Sequence, residues 1–117
     1  MGRWRVSHLE YGRTGEELAG AWYVGRGYAV VARNWRCPAG EIDLVLRRGR
    51  QVVVCEVKAR RSDSFGSGAH AVGFAKQRRL RRLAALWLAE TGTHGVDVRF
   101  DVAAVTGAAI DVIEGAF

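Results

Sequence analysis

The spacing of hydrophobic positions changes several times along the chain, and each change marks an element. Leu18, Ala19, Trp22 and Tyr23 recur at three- and four-residue steps, the pattern of one helix face. Thr14 with Glu17 three residues on makes a capping box, so this first helix is expected to begin near Thr14. Gly25 and Gly27 end it. Residues 28–33, Tyr-Ala-Val-Val-Ala-Arg, read as a first strand, and Asn34 to Gly40 as a turn around Pro38. Residues 41–47 and 51–58 are two further strands joined at Arg48-Gly49-Arg50. Residues 59–70 are basic, then rich in Ser and Gly, and predict a mobile loop. A second helix follows from His70 to Thr91, with Leu80, Leu83, Ala84, Trp87 and Leu88 as its apolar stripe. Residues 97–105 predict a fourth strand and 109–114 a short edge strand. The order α-β-β-β-α-β describes an α/β domain around one mixed sheet. No repeat or linker divides residues 1–117, which read as a single domain with residues 1–10 as a flexible arm.

The hairpin in the middle of this order carries the chemistry. Side chains alternate between the faces of a strand. Ile42, Leu44 and Leu46 are therefore expected on one face and Glu41, Asp43 and Val45 on the other. Glu56 and Lys58 share a face with Val52 and Val54. A two-residue turn at Gly49-Arg50, with Gly first as a type II′ turn prefers, pairs Arg48 with Gln51. That register sets Asp43 opposite Glu56 and Glu41 opposite Lys58. Two carboxylates so close repel each other unless a cation lies between them. Mg²⁺ or Mn²⁺, hard ions that take oxygen ligands, suit the position, with Lys58 beside them. The bland alternative is a face of Asp, Glu and Lys that meets water. Val, Leu and Ile on both sides of these strands argue instead for a covered, central place in the sheet.

Composition narrows the classes of function. The net charge is +6, and its placement is uneven. From Lys58 to Arg82 there are eight Lys or Arg (Lys58, Arg60, Arg61, Lys76, Arg78, Arg79, Arg81, Arg82) against Asp63 alone. A basic stretch confined to one region is the footprint of a polyanionic partner. Arg60, Arg61, Lys76, Arg78, Arg79, Arg81 and Arg82 are the expected phosphate contacts. No base-reading motif accompanies them, so recognition should follow backbone shape. His8, His70 and His94 are scattered without metal-ligand spacing. Cys37 and Cys55 form neither a CxxC nor a disulfide framework, which suits a cytoplasmic protein. No apolar run approaches the roughly 20 residues of a membrane span, so no membrane association is expected.

Asp43, Glu56 and Lys58 together spell D-x12-E-x-K. This resembles the PD-(D/E)XK nuclease superfamily, to which restriction endonucleases and archaeal Holliday-junction resolvases belong. More closely, the chain resembles the bacterial YraN family of predicted endonucleases. The likeness rests on Gly12-Arg13-Thr14-Gly15-Glu16-Glu17-Leu18-Ala19, Gly27-Tyr28, Arg33-Asn34-Trp35-Arg36-Cys37, Gly40-Glu41-Ile42-Asp43-Leu44-Val45 and Glu56-Val57-Lys58. It continues through Phe65-Gly66, Lys76-Gln77-Arg78-Arg79-Leu80 and Arg99-Phe100-Asp101-Val102. Ile42 stands where the superfamily label has proline.

The resemblance implies a restriction-endonuclease-like fold and a Mg²⁺-dependent endonuclease acting on DNA, branched or damaged DNA included. It assigns catalytic places to Glu16, Asp43, Glu56 and Lys58, with Asp43 and Glu56 as metal ligands. By analogy with junction-cleaving enzymes it also brings an expectation of homodimerisation. A non-catalytic nucleic-acid-binding module on the same fold is the alternative, and RNA stays open as a substrate.

Overall fold

Gly49 has a positive φ of 61° and Arg50 does not, which is the type II′ geometry the sequence predicts. In the computed structural model this turn sits between two strands at the centre of a five-stranded sheet. The structure describes residues 8–60 and 72–117, with the side chains of 15–59 and 72–117. In chain order the elements are α1 (His8–Val24), β1 (Ala29–Cys37), β2 (Gly40–Arg48), β3 (Gln51–Arg60), α2 (Phe74–Thr91), β4 (Asp97–Thr106) and β5 (Ala109–Ile113). The strands lie in the order β1-β2-β3-β4-β5, all neighbours antiparallel except the parallel pair β3 and β4. This is an α/β fold of the restriction-endonuclease-like kind.

The helices cover opposite faces. Ala19 and Tyr23 of α1 pack on Leu44, Leu46, Val53, Cys55 and Ala103. Leu80, Leu83, Ala84 and Trp87 of α2 pack on Ile42, Val45, Val52, Val54 and Phe100. Alternation along β3 explains the division, since Val52 and Val54 face α2 while Val53 and Cys55 face α1. Burial on both faces is why β2 and β3 read as nearly continuous apolar runs.

Several boundaries differ from the sequence reading. Helix α1 already runs from His8, so Thr14 and Glu17 lie inside it and not at its start. Strand β1 continues through Asn34 to Cys37, leaving only Pro38 and Ala39 between β1 and β2. The predicted turn over 34–40 shrinks because ladder pairs as far as Cys37 and Gly40 keep the backbone extended. The predicted mobile loop lies largely outside the described residues, as do Arg61 and the side chain of Arg60. No described helix is long and apolar enough to cross a membrane.

A buried polar knot pins the sheet to α1. The Asp101 carboxylate, on β4, has no exposed surface. It accepts hydrogen bonds from Arg99 Nε (2.8 Å) and Nη2 (2.9 Å), from Tyr23 Oη (2.5 Å) and from the Gly115 amide (3.0 Å). Four donors, three on charged or hydroxyl side chains, offset the cost of removing this charge from water.

Candidate active site

The β2–β3 ladder keeps the expected register from Arg48–Gln51 as far as Leu44–Cys55 and then stops. One more step would face Asp43 with Glu56, and the next would bond Val57 to Ile42. Instead the Val57 amide donates to Asp43 Oδ2 at 2.8 Å. A side-chain carboxylate thus takes the place a strand carbonyl would hold. The β1–β2 ladder is interrupted at the same level, where Asn34 adopts a positive φ of 49° and neither Asn34 nor Asp43 is paired.

That interruption corrects part of the face assignment. Leu44 and Leu46 share the α1 face as expected, but Ile42 turns to the α2 face with Val45. Glu41 does not meet Lys58 across a ladder. It lies opposite Arg36 of β1 and pairs with its guanidinium at 3.6 Å. Asp43 and Glu56 are not paired in the ladder, yet both open on the same cleft, on the α2 side of the sheet.

The cleft has a volume of about 220 Å³. Glu41, Asp43 and Glu56 form its floor, and Lys76, Arg79, Leu80 and Leu83 of α2 form its wall. Gly40 makes the approach of α2 possible. Its φ is 145°, and a Cβ there would come within 3.3 Å of Leu83 Cδ1 and 3.7 Å of Arg79 Cδ. Gly15 does the same for α1, where a Cβ would meet the Cβ of Ala59 at 3.1 Å.

The electrostatics follow from this crowding. Burial pushes the Asp43 carboxyl up to about 7, against the lowering effect of the Val57 amide, and the carboxylates of Glu56, Glu16 and Glu41 add to the rise. Glu16 therefore acts on Asp43 from α1, which brings the first-helix acid into the electrostatic field of the site. Glu56 is buried, and Lys76 Nζ pairs with its Oε2 at 2.5 Å. Lys58 is half-buried two residues beyond Glu56 and does not line the cleft.

The ammonium beside the acids thus comes from Lys76, which the sequence reading placed only among phosphate contacts. Its spacing held the signal: Lys76 precedes Leu80 by four and Leu83 by seven, so it belongs to the stripe that faces the sheet. The other basic residues of α2 fan around the helix. Arg79 lines the acidic cleft. Arg81 lies over the rings of Phe100 and Phe117, at 5.0 and 5.5 Å. Arg82 borders a separate groove beside Trp35, and Arg78 is exposed.

A divalent metal suits this donor set. Two hard oxygen donors share one cleft, and burial with the neighbouring carboxylates makes Asp43 hold its proton more tightly than an ordinary carboxylate. Among the described residues no group of three His, Cys, Asp or Glu side chains is gathered closely enough to hold an ion by itself. Asp43 and Glu56 would be joined by water or substrate oxygens, the arrangement Mg²⁺ commonly keeps.

The family model described as "Uncharacterised protein family UPF0102" matches residues 15–105, the span from α1 through β4 that builds the cleft. The chain is similar to a UPF0102 protein of Beutenbergia cavernae, 54% identical over 94 residues that cover 80% of each chain. It is similar to a UPF0102 protein of Acidothermus cellulolyticus, 46% identical over 91% of this chain and 92% of the relative. A UPF0102 protein of Moorella thermoacetica is 44% identical over 91% and 93%.

Proposed function

The chain belongs to the UPF0102 family, the YraN family of the resemblance drawn above, and from that premise we propose that it is a metal-dependent nuclease that hydrolyses phosphodiester bonds in DNA. One observation carries the reading. Two acids thirteen positions apart in sequence open on a single cleft whose opposite wall is cationic. Acids alone would repel a phosphate, and cations alone would bind one without activating it.

Asp43 and Glu56 are the residues that would hold the metal. When bound, Mg²⁺ supplies Lewis acidity at the phosphoryl oxygen and lowers the pKa of a bound water. The chain's own groups do the rest. The Val57 amide fixes the rotamer of Asp43 through Oδ2. Glu16, by its charge, holds Asp43 ready for a cation. Arg79, on the cleft wall, is placed to pair with a non-bridging phosphate oxygen, a charge-assisted contact. Lys76 and Arg79, the cations that line the cleft, are placed to stabilise charge in the transition state, a role the resemblance gives to Lys58. Lys76 balances Glu56 until a phosphate and its counter-ion arrive.

The test is a cleavage panel of single-stranded, duplex, flap and four-way DNA and RNA, with Mg²⁺ and with Mn²⁺. The wild-type chain should cut at least one substrate, and Asp43→Ala should lose that cutting while keeping its circular dichroism spectrum. Equal cleavage by the variant, purified free of host nucleases, defeats the proposal. A second reading, binding without cleavage, draws on the Lys76–Glu56 pair, in which an ammonium already neutralises one ligand. Mn²⁺ binding that disappears in Glu56→Ala decides for the nuclease. Absent Mn²⁺ binding with retained DNA binding decides for the module.

A further inference from the structure

Three hollows run in series across the turn between β1 and β2. The acidic cleft ends at Gly40 and Glu41. A shallow depression over residues 36–41 shares those two residues with it. That depression shares Cys37, Pro38 and Ala39 with a deeper groove of about 400 Å³. The groove's apolar walls are Trp35, Pro38, Ala39 and Leu86, and its charged rim is Arg82 and Glu90. Its volume falls in the range of small-ligand pockets.

We infer that this groove captures one unstacked nucleobase of the strand whose phosphate lies in the acidic cleft, so that the preferred substrate carries an unpaired nucleotide beside the scissile bond. The inference rests on the reading of the cleft as a phosphodiester site. The chemistry of the groove separates a base from a phosphate. Trp35 offers an indole, and Leu86, 38% exposed, forms an apolar wall of the same groove. Glu90 accepts the Trp35 indole N–H at 3.2 Å, which holds both the ring and the carboxylate in place. A carboxylate at the rim repels phosphate but accepts the amino protons of a base edge. Arg82 supplies the complementary charge for the backbone that links base and scissile phosphate. A continuous duplex keeps its bases stacked and cannot fill such a groove without unpairing, which favours strands, flaps and junctions.

The experiment reads binding without metal, in EDTA, so that it does not depend on cleavage. Oligonucleotides carrying 2-aminopurine at an unpaired position are compared with a blunt duplex of the same sequence. Wild-type protein should quench the unpaired probe and bind the single strand and flap more tightly than the duplex. Trp35→Leu should weaken those two ligands by about fivefold to a hundredfold, the span of base–aromatic stacking, and Leu86→Ser, a surface change, should weaken them less, with duplex binding unchanged. Loss that is equal on strand and duplex, quenching that survives in both variants, or a Leu86→Ser effect only on self-association overturns the inference. Cleavage that persists while quenching is absent removes base capture alone, and quenching with no cleavage removes only the nuclease reading.

Discussion

Replacing Asp43 by Asn should make the protein more stable and catalytically silent at once, and the gain should depend on pH in a defined way. Asn can keep the one hydrogen bond that orients the side chain, because its carbonyl oxygen can accept the Val57 amide as Asp43 Oδ2 does at 2.8 Å. Its amide nitrogen turns donors toward carboxylates that repel Asp43. The folded-state carboxyl sits at about 7, raised from 3.8. For an acid whose folded value is raised, the ionised form is what folding disfavours. The penalty is absent below about pH 4, grows as pH climbs from 3.8 toward 7, and is full above 7. At 1.36 kcal/mol for each tenfold change in proton affinity, the gap sets a ceiling of about 4 kcal/mol. Side-chain relaxation and partial screening bring the expected gain to about 2 kcal/mol at pH 8. For a domain of this size that is roughly 8 °C in Tm. Urea unfolding of wild type and Asp43→Asn at pH 3.5 and pH 8 measures it. The stability difference should be small at pH 3.5, below the unfolded value, and large at pH 8. A variant no more stable than wild type at pH 8, or a difference that ignores pH, refutes the reasoning.

Three further outcomes follow from named contacts. Lys76→Ala removes the ammonium on Glu56 and should raise Mn²⁺ affinity by up to about fivefold, the upper end for a half-exposed pair, read by isothermal titration calorimetry. Asp101→Asn weakens the hydrogen bonds that the buried carboxylate accepts from the partly exposed Arg99 and should cost about 1.5–3 kcal/mol in denaturant unfolding. Gly40→Ala places a Cβ against Leu83 at a backbone angle that side chains rarely adopt, and should cost about 1–3 kcal/mol and reduce cleavage by shifting the wall of the cleft.

The elements were legible where a local rule governed them. The α2 stripe of Leu80, Leu83, Ala84 and Trp87 is buried as its spacing demands. The hairpin register followed from a two-residue turn with Gly49, a matter of four consecutive residues. Ile42 was misplaced because alternation assumes that backbone pairs with backbone, and here Asp43 competes for the Val57 amide. That competition lives between strands and leaves no periodic trace. Helix α1 was started too late because a capping box is a local preference, which residues 8–13 override. The Tyr23–Asp101 hydrogen bond joins residues 78 positions apart, beyond the reach of any window. The site's acids were readable for the same reason the hairpin was. Its cation was hidden because a lysine within a basic run suggests solvent, and only the stripe it shares with Leu80 and Leu83 tells otherwise.

The parallel pairing of β3 with β4 has a consequence for how the molecule comes together. Antiparallel β2 and β3 close over a two-residue turn, whereas β3 and β4 pair in parallel across a long separation in sequence. Hairpins form in about microseconds, and non-local parallel pairs come later because their chain closure is entropically dearer. Asp43 and Glu56 ride on the early piece, while Lys76 and Arg79 ride on the late one. During folding the acids are therefore brought together before the cations of α2 can reach them. The floor is laid first, and the wall closes over it.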